Sequence, residues 1–206
     1  MPLDPTPDVA DVLLECARAL THHVLVARGY FAPDGTFSSL YGARIRDVPA
    51  RRRDEFDAYS GELFGSLRAV VRAGERRAIR LELSRDGVPL EAYEFALTAK
   101  SAPGGAAAAA AARRALGALA TRFVLATEQE RSSGVGAGNG GMSLRVRCEG
   151  PEGVVAPDGW GVDGEEEGSA FARGFERVAL RGAATDAFEF DIAIETRAKG
   201  AVECGG

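Results

Sequence analysis

Two alternating runs joined by a two-residue turn constrain this chain more tightly than any other feature. Ile79, Leu81 and Leu83 recur at period two, Asp86-Gly87 supplies turn chemistry, and Tyr93, Phe95 and Leu97 resume the alternation. The segment predicts a β-hairpin. A second clean alternation lies near the C-terminus, where Phe188, Phe190, Ile192 and Ile194 point one way and Glu189, Asp191, Ala193 and Glu195 the other. That pattern predicts a strand with one buried face.

Helical spacing dominates elsewhere. Thr6 followed by Pro7 reads as an N-cap and first helical residue, after which Val9, Leu13, Cys16, Leu20 and Val24 mark an apolar stripe. Between Gly29 and Tyr41, aromatics set among Pro33 and Gly35 suggest a short irregular strand or hairpin. Phe56, Tyr59, Leu63, Leu67, Val70 and Val71 form a second helical stripe after Pro49, and Gly74 closes it. Ser101 to Gly105 reads as a linker. Seven alanines, Ala106 to Ala112, then run into Leu116, Leu119, Phe123 and Val124, which predicts a long third helix packed closely at the centre. Low-complexity filler is the alternative reading of the alanine tract. Arg131 to Gly141 is rich in serine and glycine and reads as a connection, followed by a strand through Met142, Leu144, Val146 and Cys148. From Glu149 to Gly168 the chain is acidic and glycine-rich with Trp160 as its one large apolar residue, the composition of a long loop. The order of helix, helix, hairpin, helix, strand, loop and strand predicts an α+β domain with a largely antiparallel sheet.

Length and charge narrow the function classes. At 206 residues and 46% hydrophobic composition the chain can bury one substantial core, so a single domain over residues 1–206 is expected. The net charge of −5 disfavours direct nucleic-acid binding, which needs a basic surface. Cys16, Cys148 and Cys204 are odd in number and widely spaced, which suits a reducing compartment rather than a disulfide framework. No run of about 18 apolar residues is present and residues 1–11 lack a basic-then-apolar leader pattern, so no membrane partner is expected.

Catalytic chemistry has few candidates. The two histidines, His22 and His23, are adjacent and diverge by about 100° on a helix, so they cannot share a metal as an i, i+4 pair can. One is expected to pack and the other to face solvent. Cys16 falls on the apolar stripe and is expected in the core. The run Gly134 to Gly141 lacks the lysine and hydroxyl residue that end a phosphate loop, and Glu165-Glu166-Glu167 reads as a solvated acidic run. No catalytic residue, metal or cofactor is assigned, and a non-enzymatic role is expected.

The stretch Asp11-Val12-Leu13-Leu14-Glu15, the helix through Tyr59, and the hairpin with Asp86-Gly87-Val88-Pro89 and Tyr93-Glu94-Phe95 together resemble the HORMA domain family. The C-terminal pattern Val178-Ala179-Leu180-Arg181, Thr185-Asp186 and Glu195-Thr196-Arg197-Ala198-Lys199-Gly200 is similar to the branch that serves DNA polymerase zeta as its accessory subunit. The resemblance extends from about Val9 to Gly200 and is patchy over residues 31–55 and 131–168. It implies three helices backing a sheet, a core over about residues 9–148, and a C-terminal safety belt over about 151–199 that wraps a partner peptide, with a short tail at 200–206. It further implies a nuclear adaptor in translesion synthesis and DNA repair, also found in the cytoplasm, that holds a proline-containing peptide of a polymerase catalytic subunit or another closing-motif protein. A spindle-checkpoint or meiotic-axis role is the alternative, an enzyme of unrecognised type is a more remote one, and a second HORMA protein is a further implied partner.

Site residues follow from the same resemblance. Tyr59 and Trp160 match aromatics that line the peptide channel, although Tyr59 shares a stripe with Phe56 and Leu63 and core packing accounts for it equally well. Arg114 matches an arginine used for pairing between HORMA domains, or is an ordinary solvated helix residue. A second partner surface corresponds to Arg177, Asp191 and Ala193. The branch carries leucine, glutamine and tyrosine there, so a cation, an anion and a methyl group mark that surface as divergent.

Overall fold

In the computed structural model, the described residues are 7–100, 105–131, 141–149 and 175–197. Helix α1 (Val9–Ala27) begins at Asp8, whose side chain accepts from the Asp11 amide while Asp11 accepts in return from the Asp8 amide. This reciprocal cap satisfies two of the four orphan N–H groups at the helix start. The expected cap at Thr6 is therefore displaced: a carboxylate two residues on caps the helix and Pro7 precedes it. Both acids are also held by arginines of a later helix, Arg72 to Asp8 at 2.6 Å and Arg68 to Asp11.

A hairpin of β1 (Phe37–Leu40) and β2 (Ala43–Arg46) follows, turning at Tyr41 and Gly42, which both take positive φ. The aromatic stretch thus contributes one strand of a real hairpin, extending five residues beyond Tyr41. Helix α2 (Ala50–Ser66) and the short α3 (Arg68–Arg72) replace the single helix expected here. The break falls at Leu67, just after Gly65 and Ser66, where the Ser66 hydroxyl bonds back to the Leu63 carbonyl. The predicted stripe holds only in part: Leu67 and Val71 are buried and Phe56, Leu63 and Val70 partly so, whereas Tyr59 is exposed and Phe64, outside the stripe, is buried; Gly74 at φ 83° ends the unit.

The main sheet has five antiparallel strands in the order β5-β3-β4-β7-β6. The hairpin of β3 (Arg77–Arg85) and β4 (Val88–Ala99) turns on Asp86 and Gly87, both at positive φ as a primed turn requires. Ile79, Leu81, Tyr93, Phe95 and Leu97 are 0% exposed, so the predicted inward face is the observed one. β5 (Met142–Glu149) flanks β3, and β7 (Phe188–Arg197) flanks β4 with Phe188, Phe190, Ile192 and Ile194 in the core. The last strand, β6 (Phe175–Ala184), is missing from the sequence-based element order. It lies at the sheet edge with four consecutive exposed residues, Glu176 to Ala179, so no alternation marks it.

Helix α4 (Ala106–Arg131) follows the alanine tract as expected. It is not the central helix, however. Its first residues Ala106 and Ala107 are exposed and only Ala109 and Ala112 of the tract are buried, whereas α1 buries residues around its whole circumference. The sheet covers α1 on one side, while α4, α2, α3 and the β1–β2 hairpin surround the rest.

Two interactions fix this arrangement. At Gly117 of α4 the Tyr41 backbone approaches so closely that a Cβ there would collide with the Tyr41 carbonyl oxygen. Beneath the sheet, Arg28 at the C-cap of α1 donates to Glu91 (2.5 Å), to the Tyr93 hydroxyl (2.8 Å) and to the Thr127 carbonyl (2.7 Å), tying α1, β4 and α4 together. Arg28 and Glu91 are both buried, so removing Glu91 takes the paired carboxylate away from a cation in low dielectric. Glu91→Ala is expected to cost about 3 to 5 kcal/mol in urea unfolding. Gly117→Ala is expected to cost about 1 to 3 kcal/mol by overpacking, and a change under about 0.5 kcal/mol would show that the Tyr41 turn is free to move away.

Candidate functional site

The sheet has two edges, and the strands at them differ in how the chain reaches them. β5 has a strand neighbour on one side only among the described residues, namely β3, with Met142 opposite Arg85 and Cys148 opposite Ile79. Its other side presents backbone N–H and C=O groups, a template for an added strand. β5 ends at Glu149 beside Ala78, at the start of β3. The chain reappears at Phe175, opposite Arg197, at the far edge and the other end of the sheet. Residues 150–174 therefore join diagonally opposite corners.

Side chains at the β5 edge sort by face. Met142, Leu144, Val146 and Cys148 point to the helix side, opposite the buried Leu83, Leu81 and Ile79, and each stays half-buried because β5 is the last strand of that layer. Ser143, Arg145 and Arg147 point to the outer side, where Arg147 stands 3.4 Å from Glu82 of β3. The sequence shows this alternation, but only strand order reveals that it lies at a sheet edge among the described residues.

An ion-pair lattice crosses the outer face. Arg80 of β3 binds Glu82 at 3.0 Å and reaches across β4 to Glu195 of β7 at 2.6 Å. Arg177 of β6 reaches the opposite way, across β7 to Glu94 of β4 at 2.8 Å, and also holds Glu195 at 3.0 Å. The Arg80 guanidinium holds the Glu195 carboxyl below its ordinary range, with a smaller contribution from Arg177. Ala92 and Ala193 occupy the register positions these arginines span, which accounts for their 1% and 6% exposure.

The second-surface residues thus share one face. Arg177 is half exposed but committed to two carboxylates, Asp191 is exposed and 3.7 Å from Arg76, and the Ala193 methyl is buried under the lattice. Gly182 leaves the space that the Asp191 carboxylate occupies beside the β6 bulge.

Tyr59 lies on α2 with 51% of its surface exposed, at the end of a row of rings. Tyr30 meets Phe31 at 5.1 Å, Phe31 meets Phe56 at 5.3 Å, and Phe56 meets Tyr59 at 6.1 Å between centroids. Arg114 is exposed on α4. Trp160, most of the span assigned to the belt, and Cys204 lie outside the described residues.

The histidines depart from expectation, since both are buried. His22 packs edge-on to Phe56 and lies 3.3 Å from Asp47, while His23 bonds to the Thr127 hydroxyl at 2.8 Å and accepts from the Arg46 amide at Nδ1. α1 has neighbours on every side, so no face was left for a solvated histidine. Burial pushes His22 below its usual range and His23 down to about 4. Cys16 is in the core as expected, and burial pushes its thiol up. Each of these candidate bases and nucleophiles is thus a packing residue. Among the described residues no group of three or more His, Cys, Asp or Glu could hold a metal.

No protein-family model matches the sequence, and no curated protein does. Solved structures do match. A mitotic checkpoint complex contains a chain superposing at TM-score 0.69 with 15% identity, covering 92% of this chain and 99% of that one. HTP-2 bound to HTP-3 motif-6 superposes at 0.60 with 12% identity, covering 91% and 89%. C. elegans HTP-1 bound to a HIM-3 closure motif gives 0.57 with 10% identity and the same coverage. The chain has the α+β HORMA fold, with helices on one face of an antiparallel sheet.

Burial of His23 has a measurable consequence. The native state keeps the ring neutral down to about pH 4, while the unfolded chain binds a proton near pH 6.5. The unfolded state therefore binds more protons between these values, so stability is full above about pH 6.5 and falls as pH drops toward 4. The loss between pH 7 and pH 5 is expected to be about 2 kcal/mol, read by urea unfolding, and His23→Gln should flatten the dependence.

Proposed function

We propose that this protein is a non-catalytic adaptor that captures an extended peptide from a partner protein as an added strand on the β5 edge. The observation that carries this reading is the topology: an edge strand followed by a connection to the opposite corner of the sheet. Four strand spacings and the length of a strand make that diagonal roughly 35 Å. Residues 150–174 could extend to roughly 80 Å, enough to pass outside a strand docked on β5. In this reading the segment 151–199, which includes β6 and β7, acts as a belt. A peptide paired with β5 would then be enclosed by covalent chain as well as held by backbone hydrogen bonds, which favours slow release over a large interface.

Two structures of similar fold are described as bound to a motif or closure motif, which supports a peptide as the ligand class. The partner's identity rests on sequence resemblance. The C-terminal pattern favours the polymerase-zeta accessory role in translesion synthesis and DNA repair, with a proline-containing segment of the catalytic subunit as ligand and the nucleus as the site of action. The alternative, a checkpoint or meiotic-axis adaptor, has the structural neighbours in its favour. Tyr59 and Trp160 remain the proposed aromatic contacts to the peptide, and Arg114 the proposed contact to a second HORMA protein.

Hydrogen exchange tests the edge directly. Adding a peptide isolated by co-purification is expected to slow exchange at least tenfold in Met142–Glu149, while the buried amides of α1 stay unchanged. Unaltered exchange in β5 at saturating peptide would remove the strand-addition reading. Mass spectrometry of the co-purified partner decides between polymerase and checkpoint or axis proteins.

A further inference from the structure

A strand added to β5 would read two rows of side chains, and the rows differ in chemistry. Ligand residues pointing to the helix side would lie beside Met142, Leu144, Val146 and Cys148, all half-buried and packed against the core. Their alternates would lie beside Ser143, Arg145 and Arg147 on the outer side. Near this row, Glu82 is approached by Arg80 at 3.0 Å and by Arg147 at 3.4 Å. Among the described residues Arg147 meets Glu82 through its buried Nε in an ion pair without a hydrogen bond, and its side chain stays about one-third exposed (31%). The outer row is therefore cationic, and the exposed part of the Arg147 guanidinium can give a newly arriving carboxylate charge-assisted hydrogen bonds at a partly desolvated site.

We propose that the β5 edge selects an extended peptide in which apolar residues alternate with acidic ones, the apolar side chains covering the Met142–Cys148 row and the carboxylates lying along the cationic outer row and meeting Arg147. This rests on the strand-addition reading above and specifies the ligand that reading leaves open. A second copy of the chain is a poorer occupant. Antiparallel pairing of two β5 strands would bring their Arg145 and Arg147 side chains together, and like charges opposed across a sheet repel. A basic peptide meets the same repulsion.

The test uses the full chain and three fluorescein-labelled eight-residue probes read by anisotropy. One alternates valine with glutamate, one alternates valine with lysine, and one has the composition of the first with the alternation broken. The alternating acidic probe is expected to bind at least tenfold tighter than either of the others, and to weaken as salt rises from 50 to about 300 mM. The double variant Arg145→Glu and Arg147→Glu should reverse the preference toward the lysine probe. Ser143→Lys, at an exposed position, should tighten the acidic probe several-fold and serves if the double variant does not fold. Equal or tighter binding of the lysine probe overturns the charge selection and leaves strand addition standing. Binding of none of the probes, with β5 exchange also unchanged by the co-purified peptide, overturns both. A concentration-dependent dimer abolished by the same substitutions assigns the edge to a second copy and overturns the proposal.

Discussion

Helix α1 must be surrounded, and most of the molecule follows from that requirement. Its apolar residues Val12, Leu13, Cys16, Ala17, Leu20, Val24 and Leu25 are all 0% exposed, so no single sheet or helix could cover them. The sheet, α4, α2 with α3, and the β1–β2 hairpin each take a side. Enclosure also commits the polar residues of α1 to specific partners, because a buried donor or acceptor left unmade costs about 1 to 3 kcal/mol. Thr21 bonds back to Ala17 O, His22 to Asp47, His23 to Thr127, and Arg28 to Glu91, Tyr93 and Thr127 O. Those same bonds fix where α4, β2 and β4 sit, so burial and specificity come from one set of residues.

The elements that could be read from sequence are those whose periodicity reports a single buried face. β3, β4 and β7 each have one face in the core and one toward the ion-pair lattice, and their alternation survives intact. β6 has no such contrast, because an edge strand with Glu176 to Ala179 all exposed leaves period two without meaning. The opposite failure affects α1. A helix enclosed on all sides buries polar residues too, so a stripe suggested one free face and one solvated histidine where there is none. The N-cap was misplaced because Thr-Pro and Asp both suit that position, and only the reciprocal bonds between Asp8 and Asp11 distinguish them.

Much less of the candidate site was legible. The sequence contains β5 and its alternation of Met142, Leu144, Val146 and Cys148 with Ser143, Arg145 and Arg147, but not its place in the sheet. Strand order depends on contacts far apart in the chain: β3 lies between β4 and β5, while β7 pairs with β4 across nearly a hundred residues. Single residues matched to a family pattern were weaker guides. Ala193 is at a strand position whose side should face outward, yet it is buried by side chains from neighbouring strands.

That burial shows how the outer face is held without a second layer of structure over it among the described residues. Arg80 crosses from β3 to β7 and Arg177 from β6 to β4, in opposite directions, each passing a small residue on the strand between. A larger side chain at Ala92 or Ala193 would stand where a guanidinium passes. The alanines and the arginines therefore form one design, in which long charged side chains lie flat across the strands and clamp the β6–β7 hairpin to β4. Apolar packing on the helix face and ion pairs on the other make opposite demands on each strand. The central hairpin β3–β4 meets both at once, which leaves it as the rigid member from which both sheet edges are hung.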